Sequence, residues 1–494
     1  MRIKQRKAIQ GGSATEARRA RRGWAGSVAL VAVSAVIVVA GVRLLGPSTP
    51  DRRAELVQPV GPLPTTASGF ALVGNGILPE TRSELDRLTA LLAADPNDSN
   101  AYMELGYAYL QYARETSDPS AYVRADTAFS EALQRDAAAV RSITGRALIA
   151  IARHDFGGGL RLADRALGLA PRLGPALGAR ADALTELGRY DDAAAAVQKM
   201  VDLRPDLSSY SRVSYQRELH GDIDGALEGM KRAFQVGSSN VENREYIRVL
   251  IADLFLLKGD LATAEQTYRA ALETYPGFIW ALNGLGKIAA AKGDLPGAIG
   301  FLEQAIARVP LPEFLITLAE LRLESGQDAT ADLQLVRDVQ GLFAANGVNT
   351  DLELALFEAN HGDPRLALEL ATKAYRSQPN VKAADALAWA LMKNGRLPEA
   401  RQRAEEAIRL GTPRGIYSFH AGSIRAAQGD AAAAMDLLER AFEVEPHFSP
   451  LYEREARQLM ADLDAGHPTR SPCRTATDPE GESQAETGEP TVGC

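Results

Sequence analysis

The sequence predicts an all-α chain: a long α-solenoid of helix pairs, preceded by one N-terminal transmembrane helix. Three observations predict it. Glycine recurs at a near-constant interval across much of the chain, with a helical apolar pattern on either side. Small residues recur seven positions apart in the segments after several of those glycines. One uncharged apolar run follows a strongly basic start. The composition agrees, since alanine is abundant and aromatics make up only 6% of residues.

The first element is the basic segment 1–23. It holds eight bases (Arg2, Lys4, Arg6, Lys7, Arg18, Arg19, Arg21, Arg22) against one acid, Glu16. The chain of 494 residues carries a net −8, so the remainder is near −15 (−8 less +7). An acidic body argues against a nucleic-acid surface, which needs a basic stripe to meet phosphates.

The second element is the membrane helix, expected at 24–45. Ala25 to Val42 is uncharged, and as a helix it spans about 27 Å, close to the hydrocarbon core of a bilayer. Trp24 sits at an interfacial position and Arg43 can snorkel to the far side. The charge bias then places the N-terminus in the cytoplasm and the rest of a single-pass cell-membrane protein outside. The competing reading is a signal peptide cleaved near Ala40, which would yield a secreted chain. The apolar run is longer than the roughly 7–15 residues of a signal core, which favours an uncleaved anchor. The third element, 46–79, is rich in Pro, Gly, Ser and Thr and reads as an extended linker.

The fourth element, 80–464, holds the repeat. Gly188, Gly221, Gly259, Gly293, Gly326, Gly362, Gly395 and Gly429 are separated by 33, 38, 34, 33, 36, 33 and 34 residues. A fixed period of this length implies stacked copies of one supersecondary unit. Each glycine follows a stretch with apolar residues at i, i+3 and i+4, and it is expected to end that helix in the left-handed conformation. An Asp or Arg often follows, as in "AAAKGDLPGA" at Ala289–Ala298 and "ALAWALMKNGR" at Ala386–Arg396. In the second helix, small residues pair at a spacing of seven: Ala264 and Ala271, Ala298 and Ala305, Ala367 and Ala374, Ala400 and Ala407, Ala434 and Ala441. Between them stand Tyr268, Leu302, Ala371, Ala404 and Leu438. Pro276, Pro310, Pro379 and Pro446 stop the second helices.

This pattern resembles the tetratricopeptide repeat family, whose unit is a 34-residue helix–turn–helix. Its best matches are "AEQTYRAALETYP" at Ala264–Pro276 and "AYMELGYAYLQYA" at Ala101–Ala113. In the latter, Tyr102, Leu105, Gly106 and Tyr109 take the slots of the family's W-x2-L-G-x2-Y pattern. The resemblance implies a right-handed solenoid of about ten repeats between Ser99 and Pro446, with a half-unit at Ser83–Pro96 and a capping helix at Ser449–Leu463. Three repeats depart from the pattern. The first has an insertion, "RETSDPSAY". The one around Gly326 lacks the small-residue and proline signals. The one from Asp206 to Ser238 has "SSYSRVSYQ" where the leucine–small pair belongs. The last element, 465–494, is polar and acidic and expected to be disordered. It holds Cys473 and Cys494. An exported tail allows them to pair; two free thiols or an intermolecular link are the alternatives.

No motif for chemistry stands out, and the chain is expected not to be an enzyme. His220 and His361 precede cap glycines, where a helix C-terminus favours a cation. His154 occupies the corresponding turn one unit before Gly188, and His420 lies on a first helix within reach of the groove. "ALNGLGKIA" at Ala281–Ala289 lacks the early glycine, the Ser/Thr and the strand of a phosphate loop. No cofactor and no metal are expected. What remains is surface. The resemblance implies a concave groove, lined by first helices, that binds a protein or peptide partner. By register the groove candidates are Arg212, Tyr215, Asp253, Trp280, Asn283, Lys287, Asp385 and Trp389. The Lys/Asn/Arg set with which some family members hold a partner's C-terminal carboxylate cannot be assembled in order here. The function expected is a membrane-anchored scaffold facing outward, or else a non-catalytic subunit of an envelope enzyme or export complex.

Overall fold

A run of sequence with a 34-residue period and no strand-like alternation has one compact solution, the stacking of helix pairs, and that is what the computed structural model shows. It describes residues 77–466. The basic segment, the membrane helix expected at 24–45, nearly all of the linker, both cysteines and the tail from 467 lie outside the described residues. Among the described residues no helix is long and apolar enough to cross a membrane.

A leading helix, α1 (Pro79–Ala94), is followed by ten helix pairs. They are α2 and α3 (Ser99–Thr116, Ser120–Arg135), α4 and α5 (Val140–Ala152, Phe156–Leu169), α6 and α7 (Gly174–Glu186, Tyr190–Leu203), α8 and α9 (Leu207–Leu219, Ile223–Val236), α10 and α11 (Val241–Leu257, Leu261–Thr274). Then come α12 and α13 (Ile279–Ala291, Leu295–Ile306), α14 and α15 (Pro312–Glu324, Thr330–Ala345), α16 and α17 (Asp351–His361, Pro364–Ser377), α18 and α19 (Val381–Lys393, Leu397–Ile408), α20 and α21 (Gly415–Ala427, Ala431–Val444). A closing helix, α22 (Pro450–Asp464), ends the array.

The turn inside each pair is built from the recurring phrase. Seven of its eight glycines have positive φ, as a helix-ending left-handed residue requires. The exception is Gly362, at φ −147°, which corrects the expectation of a uniform cap. There the Glu358 carboxylate turns back to accept the backbone N–H of Asp363 at 2.9 Å, and a Cβ on Gly362 would lie 1.7 Å from Glu358 Oε2. The space a side chain would need at that glycine is taken by the Glu358 carboxylate. His154 takes the glycine's place in the second pair at φ 59°. The acid after the glycine is the N-cap of the next helix: Asp222, Asp260 and Asp294 each accept from a backbone N–H three residues on, at 2.9, 3.1 and 2.9 Å. This satisfies donors that helix geometry leaves open.

The small residues do what their spacing implies. Ala264, Ala271, Ala298, Ala305, Ala434 and Ala441 are completely buried. The larger residue between them fills the gap opposite a first-helix glycine. A Cβ on Gly284 would stand 2.3 Å from the Tyr268 ring, and one on Gly106 or Gly145 would stand 2.6 or 2.2 Å from the Phe129 ring. In the aberrant pair around Gly326, Val336, Val339 and Phe343 of α15 occupy the core instead of alanines.

The array also coils far enough to touch itself. The turns of pairs two to five rest on loops five to six pairs later. His154 Nδ1 lies 2.7 Å from the carbonyl of Asn349, whose N–H donates to Arg153 at 3.1 Å. Gly188 approaches Pro379 so closely that a Cβ would stand 2.3 Å from its carbonyl oxygen. Beside it, Asn380 donates to the Glu186 carbonyl at 2.9 Å and the Val381 N–H donates to Tyr190 Oη at 3.0 Å. Gly221 meets Gly411, while Thr412 donates to the Leu219 carbonyl at 2.7 Å and Arg414 donates to Glu218 at 2.6 Å. Gly259 meets the Pro446 ring. The offsets of these four contacts shrink steadily, from 195 residues at His154–Asn349 to 187 at Gly259–Pro446. A continuous seam therefore joins one turn of the coil to the next.

Candidate partner-binding surface

The side chains that meet across the coil come from first helices and from α22, which continues their row. Arg114 of α2 pairs with Glu242 of α10 at 3.0 Å. Lys382 of α18 reaches Glu186 of α6 at 3.4 Å and lies over the Tyr215 ring of α8 at 5.7 Å. Arg454 of α22 pairs with Glu324 of α14 at 2.9 Å. Contacts of this kind put polar side chains of several first helices on one inner face.

The eight residues singled out from the sequence fall into three settings. Arg212, Asp385 and Trp389 are buried in the packing between neighbouring units and already have partners. Arg212 forms a two-point ion pair with Asp182, Nε to Oδ1 at 2.8 Å and Nη2 to Oδ2 at 2.6 Å. Its guanidinium fits because Gly178 offers no side chain there. Asp385 sits 3.0 Å from His420 Nδ1. Trp389 stacks on that same imidazole, centroids 4.1 Å apart, and donates to Asn360 at 2.7 Å. His420 thus belongs to the wall between units. The second setting is the half-buried inner face. Asp253 accepts the Tyr268 hydroxyl at 2.5 Å. Trp280 lies edge-on between Tyr246 and Phe314, at 6.0 and 5.3 Å. Tyr215 buries its hydroxyl beside Lys382, whose ammonium lies over its ring. The third setting holds the remaining two. Asn283 is 8% exposed with Oδ1 unpartnered, and Lys287, one turn on, is exposed.

Enclosure shifts the titration of the inner groups. Burial pushes the Tyr215 hydroxyl up to about 12, against the pull of Lys382. The Tyr246 and Tyr417 hydroxyls rise further for the same first reason. Lys382 and Arg414 are partly enclosed, which works against their charge, yet each is held above its ordinary value by carboxylates, Glu186 for the first and Glu218 with Glu445 for the second. Glu313 is raised to about 7, chiefly by burial and further by the charge of Glu353.

Several inner-face residues were not picked out from the sequence: Tyr246, Glu313 and Lys382. A register signal was available. Tyr246, Trp280, Glu313 and Lys382 each stand 13 residues before a turn glycine (Gly259, Gly293, Gly326, Gly395). The glycine fixes the end of the first helix, so a constant offset from it fixes the face.

Comparison with known proteins agrees with this architecture. One family model described as tetratricopeptide repeat matches residues 144–208 and 386–444, and a second such model matches 255–321. No curated protein matches the sequence. Similar solved structures include the Cut9 and Hcn1 assembly of the APC/C, at 13% identity over 78% of this chain and 93% of that one, TM-score 0.36. A tetratricopeptide repeat protein from Parabacteroides merdae is 16% identical over 52% of this chain and 98% of that one, TM-score 0.32. PilF of Pseudomonas aeruginosa is 17% identical over 44% and 95%, TM-score 0.33. Helix pairs of a near-constant period, a left-handed glycine between them, alanines at the close contact and matches in three separate stretches lead to one conclusion: the chain is a tetratricopeptide repeat protein, built as a scaffold for protein–protein interaction.

Proposed function

We propose that the protein is a membrane-anchored scaffold that recruits another protein along the inner face of its coil, on the outer side of the membrane. The observation that carries the binding role is the row of polar and aromatic residues that one register puts on that face, Tyr246, Trp280, Glu313 and Lys382, with Asn283 Oδ1 and Glu313 Oε1 buried and without a partner among the described residues. An unmet buried polar group costs about 1–3 kcal/mol, and a partner segment that meets both recovers that cost. Anchoring and orientation are supported by the sequence: an uncharged run from Ala25 to Val42 behind eight bases.

Capture of partners by the full-length protein tests the binding role. Trp280→Ala removes the aromatic centre of the inner face and is expected to lose the captured partner; retention of every partner would show that binding happens elsewhere. Trp389→Ala is the wrong probe, because its side chain is fully buried between units. The mass of the mature N-terminus tests the anchor, and cleavage near Ala40 would remove it.

A further inference from the structure

The seam follows a rule, and the rule leaves half of its surfaces unused. The turn of the second pair meets the loop before the eighth, at His154 and Asn349. The third and fourth turns meet the loops before the ninth and tenth pairs, and the fifth meets the loop before α22. Each turn thus rests on the loop six units further on. From the sixth pair onward the chain has no such loop left to offer. The turn glycines record the difference. A Cβ on Gly188, Gly221 or Gly259 would stand 2.3, 2.9 or 3.2 Å from Pro379, Gly411 or Pro446. One on Gly293, Gly326, Gly395 or Gly429 would have nothing among the described residues within 4 Å. The loops before the first five pairs are the matching set at the other edge, since no turn lies six units before them. Asn380, in the seam, is 3% exposed, whereas Asp95, Asn97, Asp136, Ala138, Arg172 and Arg204 are exposed.

The two free edges are of the kinds that already fit each other within the chain. In the seam, the carbonyls two residues before Gly188 and Gly221, those of Glu186 and Leu219, accept from Asn380 and Thr412 at 2.9 and 2.7 Å. Helix ends leave such carbonyls open. Ala291 and Glu324 hold the same place before Gly293 and Gly326. The free loop before the first pair carries Pro96 and Asn97, the same dipeptide as Pro379 and Asn380, which meet the turn at Gly188. The ends of the array allow the count to continue. α22 takes the place of a first helix without its second and packs on α20 and α21, while α1 takes that of a second helix without its first and packs on α2. Both turn charged residues outward, Arg457 and Asp86 among them, so the edges rather than a helix face offer the contact. We propose that a second copy of this chain stacks along the axis of the coil, its free loops seated on the free turns of the first, so that the seam runs on between molecules. Counted through α22 and the second copy's α1, the turn at Gly293 meets the loop at 95–98, Gly326 the loop at 136–139 and Gly395 the loop at 204–206. Turn meets loop and not turn, so the contact is heterologous and the assembly open-ended.

Crosslinking of the full-length protein tests this. Cys473→Ser and Cys494→Ser are present in every variant, which leaves no native cysteine. Gln327→Cys marks a free turn and Ala138→Cys the loop expected to reach it, and both positions are exposed. A short bismaleimide is expected to join the two in a mixture of the single variants and to give no dimer with either alone. A protein carrying both changes is expected to form a ladder of dimers, trimers and longer products that lengthens with protein concentration. Gln327→Cys mixed with Arg204→Cys, two units out of register, is expected to lose the adduct. Absence of adduct in the first mixture would overturn the proposal. So would dimers from Gln327→Cys alone, which mark a symmetric pair, or a double variant whose products stop at the dimer. Equal adduct in the two mixtures would overturn it as well, since chance collision has no register. Circular dichroism of each variant, matched to that of the parent, keeps a negative result decisive.

Discussion

Glu313 shows what enclosure does to one side chain. Its carboxyl holds a proton up to about pH 7 in the folded coil, against 4.5 for the ordinary group, through burial first and the facing Glu353, with Lys287 opposing. Between those two values the folded state binds more protons than the unfolded chain. Stability therefore falls as pH rises through the window, by at most about 1.4 kcal/mol per unit. Glu313→Gln removes that slope and should stabilise the protein above neutrality. Urea midpoints at several pH values between about 4.5 and 8 would measure it; parallel curves for the two proteins would sink the assignment. Arg212 illustrates the limit of reading such residues from sequence. Its register placed it toward the groove, but its guanidinium turns sideways to Asp182, where Gly178 leaves room. Within the departure "SSYSRVSYQ", Ser208 accepts from the same guanidinium. Only the structure shows which way the side chain goes.

At the scale of the element, the period and the alanine spacing were legible, and the ten pairs follow from them. The reason is physical. A close contact between two helices tolerates few side chains, so most units repeat the same small residues, the pair around Gly326 being the exception. The aspartate after the glycine was legible as a recurrence and not as a cap, because capping depends on a backbone N–H that sequence does not display. Asp294 accepts from the Gly297 N–H at 2.9 Å, and Asp294→Ala is expected to destabilise the sixth pair by about 1 kcal/mol. Hydrogen exchange in α13 would register this as faster opening near its N-terminus. No change there would mean that the stacking of neighbours, and not the cap, sets the stability of that turn.

For the whole molecule, the seam was not legible at all. It joins residues almost 200 positions apart, and although Pro379 and Pro446 recur with the period, the period does not say which distant turn they meet. It is held by specific polar contacts: Asn380 and Lys382 on Glu186, Val381 on Tyr190, Arg414 on Glu218. Glu186→Gln with Glu218→Gln weakens it at two successive units. Amide exchange is then expected to quicken at residues 380–382 and 412–414, while α12 is unchanged. Uniform quickening along the chain would instead indicate loss of stacking within the array.

The seam also bears on time. In an open groove a bound strand leaves as soon as its own contacts break. Inside a coil whose turns are latched together, it also has to wait for the latch. Departure would be governed by how often Gly188 and Gly221 part from the loops they rest on, so two partners of equal strength could dwell for very different periods. The dwell time of a captured partner would then be set by the outside of the coil as much as by the side chains it touches.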